Sequence, residues 1–157
     1  MRSNARRATI EHLDPLAGTW ESEASHRLMP GVVIRGRATF EWMPGEIVMI
    51  CRSDYEHPDI PDSISILTCG EMDSVSGAAD PDARCNMHYV DQRSVTRIFR
   101  FSAEPGIFHA WRDWPGFSQR LTYTLGPDRN TLSGLVELNQ DGATWVEDLQ
   151  IVFRRVS

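Results

Sequence analysis

The stretch from Val95 to Leu125, VTRIFRFSAEPGIFHAWRDWPGFSQRLTYTL, decides the fold. Three runs in it alternate apolar and polar residues: Val95–Ser102, Ile107–Arg112 and Ser118–Leu125. Between them stand Glu104-Pro105-Gly106 and Trp114-Pro115-Gly116. A period of two puts successive side chains on opposite faces of a strand, and a Pro-Gly pair reverses the chain. The stretch therefore predicts three antiparallel strands joined by hairpins.

The same pattern extends both ways. Towards the N-terminus it predicts strands at Thr19–Leu28, Val32–Trp42, Glu46–Glu56, Ser63–Met72 and Cys85–Asp91, and towards the C-terminus at Thr131–Leu138 and Ala143–Val156. Turn residues separate them at Met29-Pro30-Gly31, Pro44-Gly45, His57–Asp62, Gly126-Pro127-Asp128 and Gln140-Asp141-Gly142, with a longer acidic stretch at Asp73–Arg84. Helical periodicity is confined to Asn4–Leu16, ended by Pro15 and Gly18. About ten strands in meander order curl, and closure removes their exposed edges. The expectation is an all-β chain: a roughly ten-stranded antiparallel up-and-down β-barrel with a short N-terminal helix and an internal cavity. At 157 residues it forms a single domain, residues 1–157, with about 1–15 as extension and helix.

Composition excludes several functions. All 16 basic residues are arginine, so no lysine Schiff base, lysine-held pyridoxal phosphate or Walker A loop can exist. An arginine-only complement is also what a GC-rich bacterial genome gives. The net charge of −6 argues against nucleic acid. No stretch approaches the roughly 18 apolar residues of a membrane helix, and basic Met1–Thr9 lacks the apolar core of a secretory signal. Cys51, Cys69 and Cys85 are an odd number without Cys-x-x-Cys spacing, which predicts buried thiols, no disulfide framework and a cytoplasmic setting. Cys85-x-x-His88 is half a metal motif without a second pair, so no metal is expected. No Gly-x-Ser-x-Gly elbow or strand–Gly-rich–helix unit is present.

Strand parity nominates the interior. Trp20, Ser22, Ala24 and His26 share a face, as do Ile34, Gly36, Ala38 and Phe40; Met49, Cys51 and Tyr55; Arg97, Phe99 and Phe101; Gln119, Leu121 and Tyr123; and Trp145, Glu147, Leu149, Ile151 and Phe153. In the fifth and seventh strands His88 competes with Tyr89, and His109 with Ala110. The small inward residues Ser22, Ala24, Gly36, Ala38 and Gly134 suit a cavity more than a filled core.

The opening Leu16-Ala17-Gly18-Thr19-Trp20, a helix followed by Gly-x-Trp on the first strand, resembles the calycin superfamily of lipocalins, fatty-acid-binding proteins and nitrobindin-like barrels. It is most similar to small bacterial lipocalin-like barrels with a Gly-Thr-Trp start. The resemblance implies a closed end plugged by Trp20, with Arg155 or Arg154 packing across the indole. The haem of nitrobindin-like barrels is not expected, because no histidine follows His109 and Glu21-Ser22-Glu23 replaces a glycine-rich strand. Met29-Pro30-Gly31 is too short for the helical lid of fatty-acid carriers. No cofactor is expected.

These readings converge on a barrel that binds a small, largely apolar molecule, with a carboxylate or enolate oxygen answered by Arg97. An internal ion pair of Arg97 with a carboxylate is the competing reading. Tyr55, Tyr89, Arg97, Trp111, Gln119, Tyr123 and Trp145 are the candidate ligand contacts, with Trp111–Phe117 an aromatic rim at the mouth. The alternative is a cofactor-independent cyclase or isomerase using the same cavity. Its candidate catalytic pair is His26 and Glu147, directly opposite if Trp20 faces Phe153 and only diagonal if Trp20 faces Arg155.

Overall fold

The computed structural model describes residues 9–69 and 85–157. Ten strands follow a short helical segment (residues 9–13, continuing as a 3-10 turn, Asp14–Leu16): β1 Gly18–His26, β2 Ile34–Trp42, β3 Val48–Tyr55, β4 Ser63–Thr68, β5 Asn86–Asp91, β6 Thr96–Glu104, β7 Ile107–Arg112, β8 Ser118–Leu125, β9 Thr131–Asn139 and β10 Val146–Arg155. Each strand pairs antiparallel with its chain neighbours, and β1 pairs with β10 to close the barrel. At Pro105-Gly106 and Pro115-Gly116 the proline sets its own φ, and the glycines take φ of 74° and 79°. Side chains rarely adopt such angles, which is why glycine closes these hairpins.

The plugged end is built around Trp20, which has no exposed surface. Its indole Nε1 donates to the Leu16 carbonyl at 2.8 Å, and the Arg155 guanidinium lies 4.2 Å from the ring centroid. The same guanidinium donates to the carbonyls of Ala17 at 2.8 Å, Pro15 at 2.5 Å and Arg129 at 3.1 Å. One side chain thereby ties the helical segment and the β8–β9 turn to the last strand. Gly18 has φ 130°, and a Cβ there would meet the Ser157 carbonyl oxygen at 2.4 Å. The glycine of Gly-Thr-Trp is thus set by the close passage of the backbone at Ser157.

The register resolves the two alternatives. Trp20 faces Arg155, Ser22 faces Phe153 and His26 faces Leu149, so the Trp20–Phe153 register is not adopted. Beyond Leu149 a β-bulge intervenes between Glu147 and Leu149.

The cysteine reading is corrected. Cys69 and Cys85 form a disulfide, with Cα atoms 4.0 Å apart. Thr68 pairs with Asn86, so the next residues out along the same ladder are the two cysteines. The bond staples β4 to β5, and the argument for a reducing cytoplasm, which rested on its absence, loses that support. Cys51 remains a free thiol. No helix among the described residues is long and apolar enough to cross a membrane. The Asp73–Arg84 stretch lies outside the described residues.

Candidate functional site

Inside the barrel is a cavity of about 410 Å³, running from Leu13 and Leu16 at the plugged end to Asp59, Ile60, Pro61 and Phe117 at the other. That volume falls in the range of small-molecule pockets, roughly 300–1,000 Å³. Its lower wall is apolar: Phe40, Leu67, Phe99, Phe101, Phe108, Leu132 and Phe153. Higher up it gains hydroxyl and thiol groups from Cys51, Ser53, Ser63, Ser65, Tyr55, Tyr89 and Tyr123.

These groups are uncharged at neutral pH. Burial pushes the Cys51 thiol and the Tyr55 phenol up to about 12, and raises Tyr123 further. Burial likewise raises Tyr89, helped by the Asp91 carboxylate it bonds. Ser22 Oγ, on the inward face of β1, is the one buried side-chain oxygen without a hydrogen-bond partner among the described residues. The middle of the barrel is therefore neutral, with hydrogen-bonding capacity to spare, and formal charge is confined to the mouth.

The inward glycines do not act as the sequence suggested. Gly36 pairs with Tyr55, and Gly134 pairs with Tyr123. A Cβ on Gly134 would meet two Tyr123 ring carbons at 2.4 and 2.6 Å and Ile151 at 2.7 Å; on Gly36 it would meet the Asp54 carbonyl oxygen at 2.4 Å and Tyr55 at 2.8 Å. The space left by each missing side chain is filled by a tyrosine ring, so these glycines seat aromatic walls rather than enlarge the void. Gly134→Ala is expected to cost about 1–3 kcal/mol through overpacking. Urea unfolding checks this, and an unchanged midpoint would show that the ring can step aside.

At the mouth, Asp91 is fully buried, though it pairs with a half-exposed arginine. Its carboxylate accepts from Arg93 Nη2 at 2.7 Å, the Tyr89 hydroxyl at 2.9 Å and the Arg93 amide at 2.9 Å. The Arg93 guanidinium, and then Tyr89, hold this carboxyl well below the usual range despite burial. A carboxylate lowered in the fold adds stability that is present above its unfolded value of about 3.9 and is lost as pH falls through the lower folded value. Asp91→Asn should be less stable than the parent at pH 7. The gap should narrow below about pH 4, as urea midpoints at pH 7 and pH 3 would show.

Tyr55, Tyr89, Arg97, Gln119 and Tyr123 all line the cavity, as does His26. Parity in the doubtful strands is now fixed. Met87 and Tyr89 face in on β5; on β7 Phe108 and Ala110 are buried, while His109 reaches Thr122 on the outer face.

Three expected site residues are placed outside. Trp111 faces outward, paired with Arg100 and Arg120. Trp145 carries the Arg120 guanidinium 4.2 Å from its ring centroid, also on the outer surface. Glu147 pairs across the outer face with Glu137 and accepts from Gln150 Nε2 at 2.8 Å. One cause displaces both Trp145 and Glu147: the bulge adds Asp148 to β10 and reverses parity before it.

The His26–Glu147 pair is thus replaced by His26–Asp148, with Nε2 and Oδ1 at 3.5 Å. His26 Nδ1 accepts from the Leu28 amide at 3.1 Å, so in the neutral ring the proton sits on Nε2, towards Asp148. Nδ1 is occupied by the Leu28 amide, and Nε2 lies at ion-pair distance from Asp148. The pair ties the β1–β2 turn to β10, helped by Arg27 at 3.6 Å from the same carboxylate.

Phe117, at the end of the expected rim, does line the cavity, whereas sequence reasoning singled out neither Arg112 nor Asp148. Arg112 is two residues beyond Ala110, so inward parity on β7 was its only signal.

With this geometry in hand, the chain can be set beside known structures. It shares its fold with two solved barrels. The crystal structure of Rv2717c from M. tuberculosis superimposes with a TM-score of 0.63 at 11% identity, covering 95% of this chain and 98% of that one. The S-type phycobiliprotein lyase CPES from Guillardia theta gives a TM-score of 0.56 at 8% identity, covering 100% and 98%. Both are ten-stranded barrels of the calycin-like kind, and the likeness is one of fold. No protein-family model matches the chain, and no curated protein matches it.

Proposed function

We propose that the barrel binds a small, largely apolar molecule, with its body among the lower phenylalanines and leucines and its polar end at the mouth. The cavity carries this reading: about 410 Å³, plugged by Trp20, apolar below and polar above. The tyrosines are held by their glycine seats, so the site is shaped before a ligand arrives, which lowers the cost of binding. The polar end we assign is a carboxylate or enolate oxygen near Arg97. Among the described residues no carboxylate lies within ion-pair distance of that guanidinium, whose partners are Gln119 and the Phe117 ring.

Native mass spectrometry of gently purified protein tests the reading. A discrete small-molecule adduct is expected, removable by organic extraction and stabilising on return by about 2.7 kcal/mol at 100 times its dissociation constant. Protein that carries no adduct and is stabilised by no member of an apolar panel would refute it.

A further inference from the structure

Resting on that reading of the cavity, we infer that the ligand is a monocarboxylate, its carboxylate gripped between Arg97 on β6 and Arg112 on β7 with the Gln119 amide beside them. Both arginines follow the inward parity of their strands, after Phe99 and Phe101 on one and Phe108 and Ala110 on the other. Gln119 is the cross-strand partner of Arg112, and its Oε1 accepts from Arg97 Nη1 at 3.4 Å. These three side chains therefore form one cluster at the top of adjacent strands.

What holds the arginines is unusual for guanidinium groups. Arg112 donates to the Phe117 carbonyl at 3.2 Å and lies 4.9 Å from the Trp114 ring centroid. Arg97 lies 4.9 Å from the Phe117 ring centroid. Aromatic faces and neutral oxygens orient both groups, and neither has an ion-pair partner among the described residues. Burial, and then the charge of Arg97, lower Arg112 from its ordinary value.

The remaining charges around the mouth narrow the ligand class. Arg93 is neutralised by Asp91, and Asp148 faces His26 and Arg27. Asp59 also lines the cavity and partly offsets the two arginines. The excess is positive and small, which favours a single negative charge over a phosphate dianion. A planar two-oxygen group also matches the guanidinium fork. At about 30 Å³ per water-sized group, the cavity volume admits a body of about a dozen non-hydrogen atoms.

The test is titration calorimetry with dodecanoate and 2-naphthylacetate, each beside its alcohol, and with dodecyl phosphate. The parent is expected to bind an acid at least about tenfold tighter than its alcohol, a difference of about 1.4 kcal/mol. Arg97→Gln and Arg112→Gln should each reduce that preference, and the double variant should abolish it while keeping the alcohol affinity, which certifies the fold. Arg97→Lys keeps the charge and loses the fork; it should give an intermediate preference and replaces the glutamine variant if that does not fold. Equal affinity for acid and alcohol, a preference that survives the double variant, or tighter binding of the phosphate would overturn the assignment while leaving the cavity reading intact. Absence of binding by every probe, with no adduct in native mass spectrometry, would instead defeat the cavity reading itself.

Discussion

Trp20→Ala is expected to lose about 3–5 kcal/mol of unfolding free energy. The indole is fully buried, so its removal leaves a large hole at the plugged end. The change also deletes the hydrogen bond to Leu16 and the face on which the Arg155 guanidinium rests. Arg155 would keep its three carbonyl partners, so the end should loosen without the sheet order changing. Urea unfolding followed by far-ultraviolet circular dichroism measures the loss. A cost below about 1 kcal/mol would mean that the helical segment, and not the indole, closes the barrel.

Breaking the Cys69–Cys85 bond should cost about 3 kcal/mol, the chain-entropy value for a closed loop of this length. The cysteines are 16 residues apart, and both are buried. Reductant should lower the urea midpoint of the parent and leave that of the double variant Cys69→Ser, Cys85→Ser unchanged. The reduced parent and the variant should then agree closely. Equal midpoints for oxidised and reduced parent would show that the strand pairing alone fixes this edge of the loop.

The strands were legible because their signals are local. Alternation and Pro-Gly turns placed the ends of β7 and β8 at the observed residues, and most others within a few residues. The inward faces carrying Tyr55, Arg97, Gln119 and Tyr123 followed from parity alone. What escaped the reading depends on which residue of one strand lies beside which residue of another. The disulfide needed the β4–β5 register across a long connection. The glycine seats needed the β2–β3 and β8–β9 registers, without which Gly36 and Gly134 look like empty space. The bulge at Asp148 has no local sequence signature, and it alone turned Trp145 and Glu147 out of the site. Trp111 was lost to parity: Phe108 and Ala110 occupy the interior, so a tryptophan one residue on must face away.

The three-carbonyl grip of Arg155 bears on how the barrel is assembled in time. Every strand pairing except one joins segments consecutive in the chain, so most of the sheet can grow hairpin by hairpin at a low loop-closure cost. The exception, β1 with β10, brings Trp20 to Arg155 from opposite ends of the sequence. That pairing spans the largest sequence separation of the ten, and its entropy must be met before its hydrogen bonds are gained. An arginine that engages the helical segment, the β8–β9 turn and the first strand's indole concentrates the reward for closure on one side chain of β10. A chain in which β10 has not yet docked on β1 can form the meander and still presents two open edges, so that one pairing completes the cylinder.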